Sequence, residues 1–298
     1  MRVLVFGGNG MLGHKLVQSF GGRFDVWCTL RGRFADVAPC GIFDEVRTLE
    51  QVDVTDTDSL RTVLDRVQPE VIVNAAGVIK QVSDGYDPTR LLGVNSVFPR
   101  HLASLSAQYG SRLITISTDC VFSGDRGMYT EADLSDARDL YGVSKFLGEV
   151  SHGNCLTLRT SIIGREIGTH HSIVEWFLAN SGGRVRGFVN AIYSGFPTVV
   201  FAEVLADIIE RHPDLRGLYH VSSEPINKFD LLKLIERYFK AGVQIEPAHE
   251  YVMDRSLDSN LFREATGFEP DTWETMIARM AADPTPYDAW SLSTTAAT

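Results

Sequence analysis

Ser117-Thr118 stands where the apolar run Leu113–Ser117 gives out, and Tyr141 and Lys145 follow with three residues between them. On a helix the i, i+4 spacing places both side chains on one face. An ammonium beside a phenol favours the phenolate, which is expected to draw the Tyr141 pKa down from about 10 towards neutrality. Such a tyrosine donates a proton to a ketone oxygen while a hydride reaches the carbon. Thr118 would hydrogen-bond the same oxygen and hold it. A tyrosine and a lysine at this spacing are common, so the weight rests on what precedes them.

Upstream lies Gly7-Gly8-Asn9-Gly10-Met11-Leu12-Gly13, directly after the short apolar run Val3–Phe6. Gly7, Gly10 and Gly13, with Met11 and Leu12 opening the next helix, would let backbone N–H groups approach a pyrophosphate. A glycine pattern is weak alone, and its place between a buried strand and an amphipathic helix is the confirming context. After the second apolar run comes Arg31, where an NAD site would place an acidic residue on the ribose. A guanidinium there suits a 2′-phosphate, so NADPH is the expected cofactor, with NADH an alternative. Asp53 and Val54 are candidates for the adenine edge. Asn74-Ala75-Ala76-Gly77 closes a further strand with small residues that leave room for the nicotinamide half.

The elements that must position these residues alternate. Strands are expected at Arg2–Phe6, Asp25–Leu30, Glu70–Asn74, Leu113–Ser117 and Leu156–Arg159, with helices at Thr57–Val67, Thr89–Tyr109 and Tyr141–Val150. That rhythm implies an α/β fold, a doubly wound parallel sheet with helices on both faces. Past residue 165 it weakens into a mixed stretch from His170 to Asn190. A helix is then expected at Phe201–Arg211, a strand at Gly217–Ser222, and helices at Phe229–Phe239 and Thr272–Ala281. The expected organisation is a nucleotide-binding domain over residues 1–164, to which 190–222 return. Residues 165–189 and 223–290 form a smaller interleaved α/β cap, with substrate held between sheet and cap. Residues 291–298 form a low-complexity tail.

Composition narrows the function classes. The 298 residues are 44% hydrophobic and 22% charged, ample for a core and against general disorder. With 28 basic against 38 acidic residues and no basic block, nucleic acid and anionic membranes are poor partners. Cys28, Cys40, Cys120 and Cys155 lack metal-type spacing and read as reduced thiols. No His/Asp/Glu cluster has metal-ligand spacing. The first strand begins at Arg2, which leaves no space for a leader, and no apolar run approaches the ~20 residues of a spanning helix. A soluble cytoplasmic protein is the expectation.

The glycine loop, Asn74–Gly77, Ser117-Thr118-Asp119-Cys120-Val121-Phe122-Ser123-Gly124 and Tyr141-Gly142-Val143-Ser144-Lys145 together resemble an extended short-chain dehydrogenase/reductase. Within that family the chain is most similar to the dTDP-4-dehydrorhamnose reductase-like subgroup. Leu158-Arg159-Thr160-Ser161 carries the likeness on, as do Gly195–Thr198, Gly217–Val221 and Arg255–Ser259, as far as about Ala281. The resemblance implies NAD(P)H-dependent reduction of the 4-keto group of a nucleotide-diphosphate 4-keto-6-deoxysugar. It implies Thr118, Tyr141 and Lys145 as the catalytic set, with Tyr141 and Lys145 also touching the cofactor, and a homodimer. Lys80, Thr118, Asp119, Arg159, Arg186 and Arg255 are the candidate substrate contacts, the basic ones for a diphosphate.

Departures from the subgroup fall around the sugar. Cys120 replaces the tyrosine usual after Ser-Thr-Asp, Ile162–Arg165 stand where an aromatic residue is usual, and Val78–Asp84 differ from the dTDP-rhamnose type. A UDP-linked N-acetylated sugar therefore stays open beside dTDP-4-dehydrorhamnose. Dehydratases of this family carry a glutamate where Cys120 stands, which argues against dehydration. An NAD-dependent epimerase and a non-catalytic regulatory subunit, such as that of methionine adenosyltransferase, remain as alternatives.

Overall fold

The computed structural model describes residues 1–79 and 87–291. They form two compact units, the first made of Met1–Val121, Ala137–Arg159 and Ala202–Tyr219, the second of Phe122–Asp136, Thr160–Phe201 and the chain from His220 on.

The first unit is built on β1 (Arg2–Phe6), α1 (Gly13–Phe20), β2 (Asp25–Thr29), α2 (Phe34–Val37), β3 (Thr48–Leu49) and α3 (Thr57–Val67). There follow β4 (Val71–Asn74), α4 (Pro88–Leu92), α5 (Phe98–Tyr109), β5 (Arg112–Thr118), α6 (Leu140–Leu147) and β6 (Cys155–Thr160). Seven strands lie in the order β10-β6-β5-β4-β1-β2-β3, with β10 spanning Gly217–His220. β1 pairs in parallel with both β2 and β4, and β4 with β5. This is the expected doubly wound sheet. Its direction of winding reverses between β1 and β4, and in such sheets ligands bind at that switch, outside the carboxyl ends of the strands. The apolar runs follow from position: β4 and β5 are buried along their whole length, so alternation is replaced by continuous hydrophobicity. On one face Leu4, Phe6, Ile72 and Leu113 pack under Leu60, Leu64, Phe98 and Leu102 of α3 and α5. Each such side chain contributes roughly 1.5–3 kcal/mol on burial.

The second unit carries β7 (Ile162–Ile163), α7 (Ile173–Ala179), β8 (Arg184–Tyr193), β9 (Phe196–Pro197) and the start of α8 (Thr198–Arg211). It continues with β11 (Ile226–Asn227), α9 (Lys228–Phe239), β12 (Gln244–Asp254), α10 (Asn260–Thr266), α11 (Trp273–Ala281) and α12 (Tyr287–Ser291). β8 is the centre of a three-stranded sheet, antiparallel to β11 and parallel to β12, with a bulge between Ala248 and Val252. The face of α9 bearing Leu231, Leu232 and Ile235 is buried, and Asn227 caps its start by accepting from the Asp230 N–H.

Three expectations differ here. Residues 190–222 do not return to the first unit as a block: only Ala202–Tyr219 belong there, because β8 through Tyr193 finds its partners in β11 and β12. Phe122–Asp136 fall in the second unit, where Phe122 stacks on Tyr129 at 4.2 Å. The helix expected at Thr89–Tyr109 is broken by a π-turn over Gly93–Val97 between α4 and α5. Pro99, which has no N–H, cannot donate to the Asn95 carbonyl, and the hydrogen-bond ladder widens there.

Candidate active site

At the switch point the loop after β1 folds back on itself, with the Gly10 N–H donating to the Gly7 carbonyl and His14 to that of Gly10. A Cβ at Gly13 would lie 1.9 Å from the Gly7 oxygen, so only glycine lets α1 begin this close to the strand end. The Gly8 N–H donates to Thr29 and the Ala75 N–H to Phe6, which fixes the loop between β2 and β4. Leu12 is buried and Met11 half-buried at the start of α1. Asn74, buried at the end of β4, accepts the Ala76 N–H through Oδ1, and Ala75, Ala76 and Gly77 run out towards solvent. The expected cofactor residues Gly7, Gly10, Gly13 and Asn74–Gly77 thus meet at one place. Arg31 is exposed just past β2, and Val54 is half-buried past β3. Asp53 is exposed, and hydrogen bonds from Thr55 hold its carboxyl below the ordinary aspartate range.

The carboxyl end of β5 carries the second half of the site. Thr118 is buried, and its hydroxyl accepts the Cys120 N–H at 3.1 Å and bonds to Asp119. Asp139 starts α6 by accepting the Gly142 N–H, and α6 then presses on the turn at Asp119–Val121. A Cβ at Gly142 would meet the Cys120 oxygen at 2.2 Å, so glycine after Tyr141 sets how near the phenol comes to β5. Tyr141 and Thr118 hydrogen-bond through their side chains. The Lys145 ammonium, one turn on, donates to the Ile116 carbonyl at 2.8 Å. The three residues of the expected catalytic set are therefore brought together.

Their electrostatics depart from expectation in one respect. Burial, with the Cys120 thiol and the Asp119 and Asp139 carboxylates beside it, pushes Tyr141 above its ordinary range, although Thr118 acts the other way. Lys145 spends its ammonium on Ile116, and burial brings its own pKa down to about 8 against the opposing pull of Glu149. For the phenol, desolvation outweighs the Thr118 hydrogen bond that would lower it.

The expected substrate contacts scatter. Asp119 is buried beside Thr118. Arg159, one residue from the carboxyl end of β6, is 3% exposed and forks onto Glu149 at 2.8 and 2.7 Å. Its charge is matched inside the fold, which corrects its expected place on a diphosphate. In the second unit Arg186 is exposed and paired with Glu250, while Arg255, half-buried, donates to the Phe122 carbonyl at 2.9 Å. Lys80 lies outside the described residues.

One contributor escaped the sequence reading. Asn95, on the π-turn and 2% exposed, accepts the Val78 N–H and donates to the Val78 carbonyl and the Ser144 hydroxyl. It ties the segment after Gly77 to α6, and π-turns of this kind recur at functional sites. Its signal was Pro99, four residues on, inside an otherwise helical pattern.

A switch-point sheet with a glycine loop on β1 and a Thr–Tyr–Lys group on β5 and α6 defines a nucleotide-cofactor α/β protein of the short-chain dehydrogenase/reductase kind. The family model described as "RmlD substrate binding domain" matches residues 1–285. The chain belongs to this family. It is 24% identical to a dTDP-4-dehydrorhamnose reductase of Aggregatibacter actinomycetemcomitans, over 94% of this chain and 98% of that one. It is 27% identical to methionine adenosyltransferase 2 subunit beta of Mus musculus, over 77% of this chain and 70% of that one. Among solved structures, dTDP-4-dehydrorhamnose reductase from Bacillus anthracis in complex with NADP superposes with a TM-score of 0.78. It shares 23% identity, over 94% of this chain and 98% of that one.

Proposed function

We propose that this protein reduces the 4-keto group of a nucleotide-diphosphate 4-keto-6-deoxysugar, with NADPH as the reductant. The observation that carries the reading is the Thr118–Tyr141–Lys145 group on β5 and α6, in one sheet with a glycine turn that has no room for a Cβ at Gly13. That turn fits a dinucleotide: Gly7–Gly13 would hold its pyrophosphate, Asn74–Gly77 would border its nicotinamide half and Arg31 would meet a 2′-phosphate. Asp53 and Val54 would border the adenine. When bound, the reduced nicotinamide supplies a hydride.

The chain's own residues do the rest. Tyr141 is kept protonated by its burial, so at neutral pH it carries the proton a developing alkoxide needs. Thr118 orients the ketone oxygen with the hydroxyl that already touches Tyr141. Lys145, held on the Ile116 carbonyl one turn beyond the phenol, would supply the positive charge that stabilises the phenolate left after transfer. Asp119, and Lys80 beyond Gly77, are the substrate contacts nearest in sequence to this group; Arg186 and Arg255 remain candidates for the nucleotide. The same reading makes the protein a cytoplasmic homodimer, and the thiols of Cys28, Cys40, Cys120 and Cys155, none of them in a disulfide, suit a reducing compartment.

The test is oxidation of NADPH, followed at its absorbance, with a panel of dTDP-, UDP- and GDP-linked 4-keto-6-deoxysugars, repeated with NADH. Stoichiometric oxidation with one sugar is the expected result, and Arg31→Ala should lower the preference for NADPH over NADH by ~10-fold. Cofactor binding without oxidation by any sugar would overturn the reading. The likeness to methionine adenosyltransferase 2 subunit beta supports a second one, a regulatory subunit, which co-purification with a catalytic partner would favour.

A further inference from the structure

Glu149 lies one turn beyond Lys145, just past the end of α6, and its side chain is 9% exposed. Three hydrogen bonds fix its carboxylate: the Ser117 hydroxyl donates at 2.6 Å, and Arg159 donates through Nε at 2.8 Å and Nη2 at 2.7 Å. Ser117 follows Ile116, whose carbonyl receives the Lys145 ammonium. One carboxylate therefore grips β5 at the residue next to the one that Lys145 grips, and the partner on β6 is itself buried.

We infer that Glu149 is a positioning residue for the proposed reduction: clamped by Arg159 and Ser117, it keeps the Lys145 ammonium charged and aimed at β5 despite burial. The inference deepens the proposed reaction and rests on it for its meaning in turnover.

The other charges that face Lys145 do not supply this. On its own helix are Tyr141, one turn back and neutral, and Asp139 at the N-terminus. The turn after β5 brings Asp119 and Cys120, β6 brings Arg159, the π-turn carries no charged residue, and α4 carries the exposed Arg90. Glu149 is the carboxylate that opposes the effect of burial on Lys145. The fork from Arg159 matches its charge inside the fold and fixes where it sits, and from there it acts on Lys145.

The experiment reads Lys145 directly. With lysine labelled at Cε, the Lys145 carbon resonance is assigned by its loss in Lys145→Met and titrated in the unliganded protein, where no turnover is needed. The wild-type midpoint is expected near the value of about 8 set by burial and Glu149. Glu149→Gln should move it down by about one unit, and the high-pH fall of kcat/KM should move with it. Glu149→Asp, which keeps the charge, should restore much of the shift, and Ser117→Ala, which removes one of the three hydrogen bonds on the carboxylate, should move the midpoint in the same direction by less than Glu149→Gln. Should Glu149→Gln fail to fold, Glu149→Gln/Arg159→Gln removes both buried charges together, a change proteins tolerate better. It too should titrate below wild type. A folded variant of either kind with an unmoved Lys145 midpoint overturns the inference. A moved midpoint in a protein that reduces none of the sugars upholds the inference and counts against the proposed reaction.

Discussion

Arginine–glutamate pairs occur both at the carboxyl end of the first unit's sheet and on the β8–β12 surface of the second, and they do different work. Arg159 and Glu149 are almost sealed from solvent, with side chains 3% and 9% exposed. Arg186 and Glu250 join β8 to β12 with side chains 60% and 54% exposed. Water and salt screen the second pair and replace either partner at little cost. Neither member of the first can be left alone without stranding a charge in the interior. A buried pair therefore transmits a constraint, here to Ser117 and to the site one turn away, whereas an exposed pair tethers two strands loosely. Where a charge sits relative to water, more than its presence, separates machinery from surface.

The largest effect expected from breaking the buried region is on chemistry. Tyr141→Phe removes the proton donor while leaving ring, helix and glycine turn in place. Turnover should fall by ~10²–10⁴-fold, with NADPH affinity, read by nicotinamide fluorescence, nearly unchanged. A fully active Tyr141→Phe protein would sink the catalytic assignment.

Next comes stability. Arg159→Ala leaves the Glu149 carboxylate buried and without its fork, and should cost about 3–5 kcal/mol, measured by denaturant unfolding. A cost below about 1 kcal/mol would put Arg159 in the same class as Arg186 and erase the contrast between the regions.

Much of this was legible in the chain, and the parts that were not have identifiable causes. Val3–Phe6 and the run ending at Ser117 declare themselves because a strand covered on both faces tolerates few polar residues. Gly13 and Gly142 mark two close backbone approaches of the site. β12 was missed because seven of its eleven residues, among them Glu246, Glu250 and Val252, face solvent, so the run reads as a polar segment. The boundaries of the second unit were blurred since its strands pair across long stretches of chain, Arg184 with Gln244 and Ile226 with Tyr193. Arg159 was read as a ligand contact because a charged residue within an apolar strand signals function or a buried partner equally. Its partner, ten residues earlier and beyond the end of a helix, has no spacing that points to it. The Tyr141 ionisation was misjudged since the sequence shows an ammonium four residues away but not the burial that raises the phenol.

Burial of Lys145 carries a further cost that can be measured without substrate. Its pKa is drawn from 10.5 to about 8 on folding, so between those values the unfolded chain binds the additional proton. Stability from this group therefore rises as pH climbs from about 8 to 10.5, and its full cost is felt below 8. Lys145→Met should be inactive yet melt about 2–4 °C higher than wild type at pH 7. The difference should shrink towards pH 10.5. A gap that stayed constant with pH would mean that packing, and not the buried charge, set it.

The smallest effect belongs to the exposed region and is as diagnostic as the largest. Arg186→Ala deletes one member of a solvated pair whose partner, Glu250, stays hydrated. β8 and β12 keep their backbone ladder from Gln244 to Ala248 with or without it, so the expected cost is below about 1 kcal/mol. That cost should fall further in high salt, since the Debye length contracts to about 3 Å at 1 M. Were Arg186 instead a contact for a nucleotide diphosphate, the stability of Arg186→Ala would still be near wild type, but its KM for the sugar would rise while kcat held. An unchanged KM removes Arg186 from the site and leaves recognition of the diphosphate to other residues. A raised KM makes this surface part of the site, and the contrast then becomes one between a charge kept for the fold and a charge kept for a ligand.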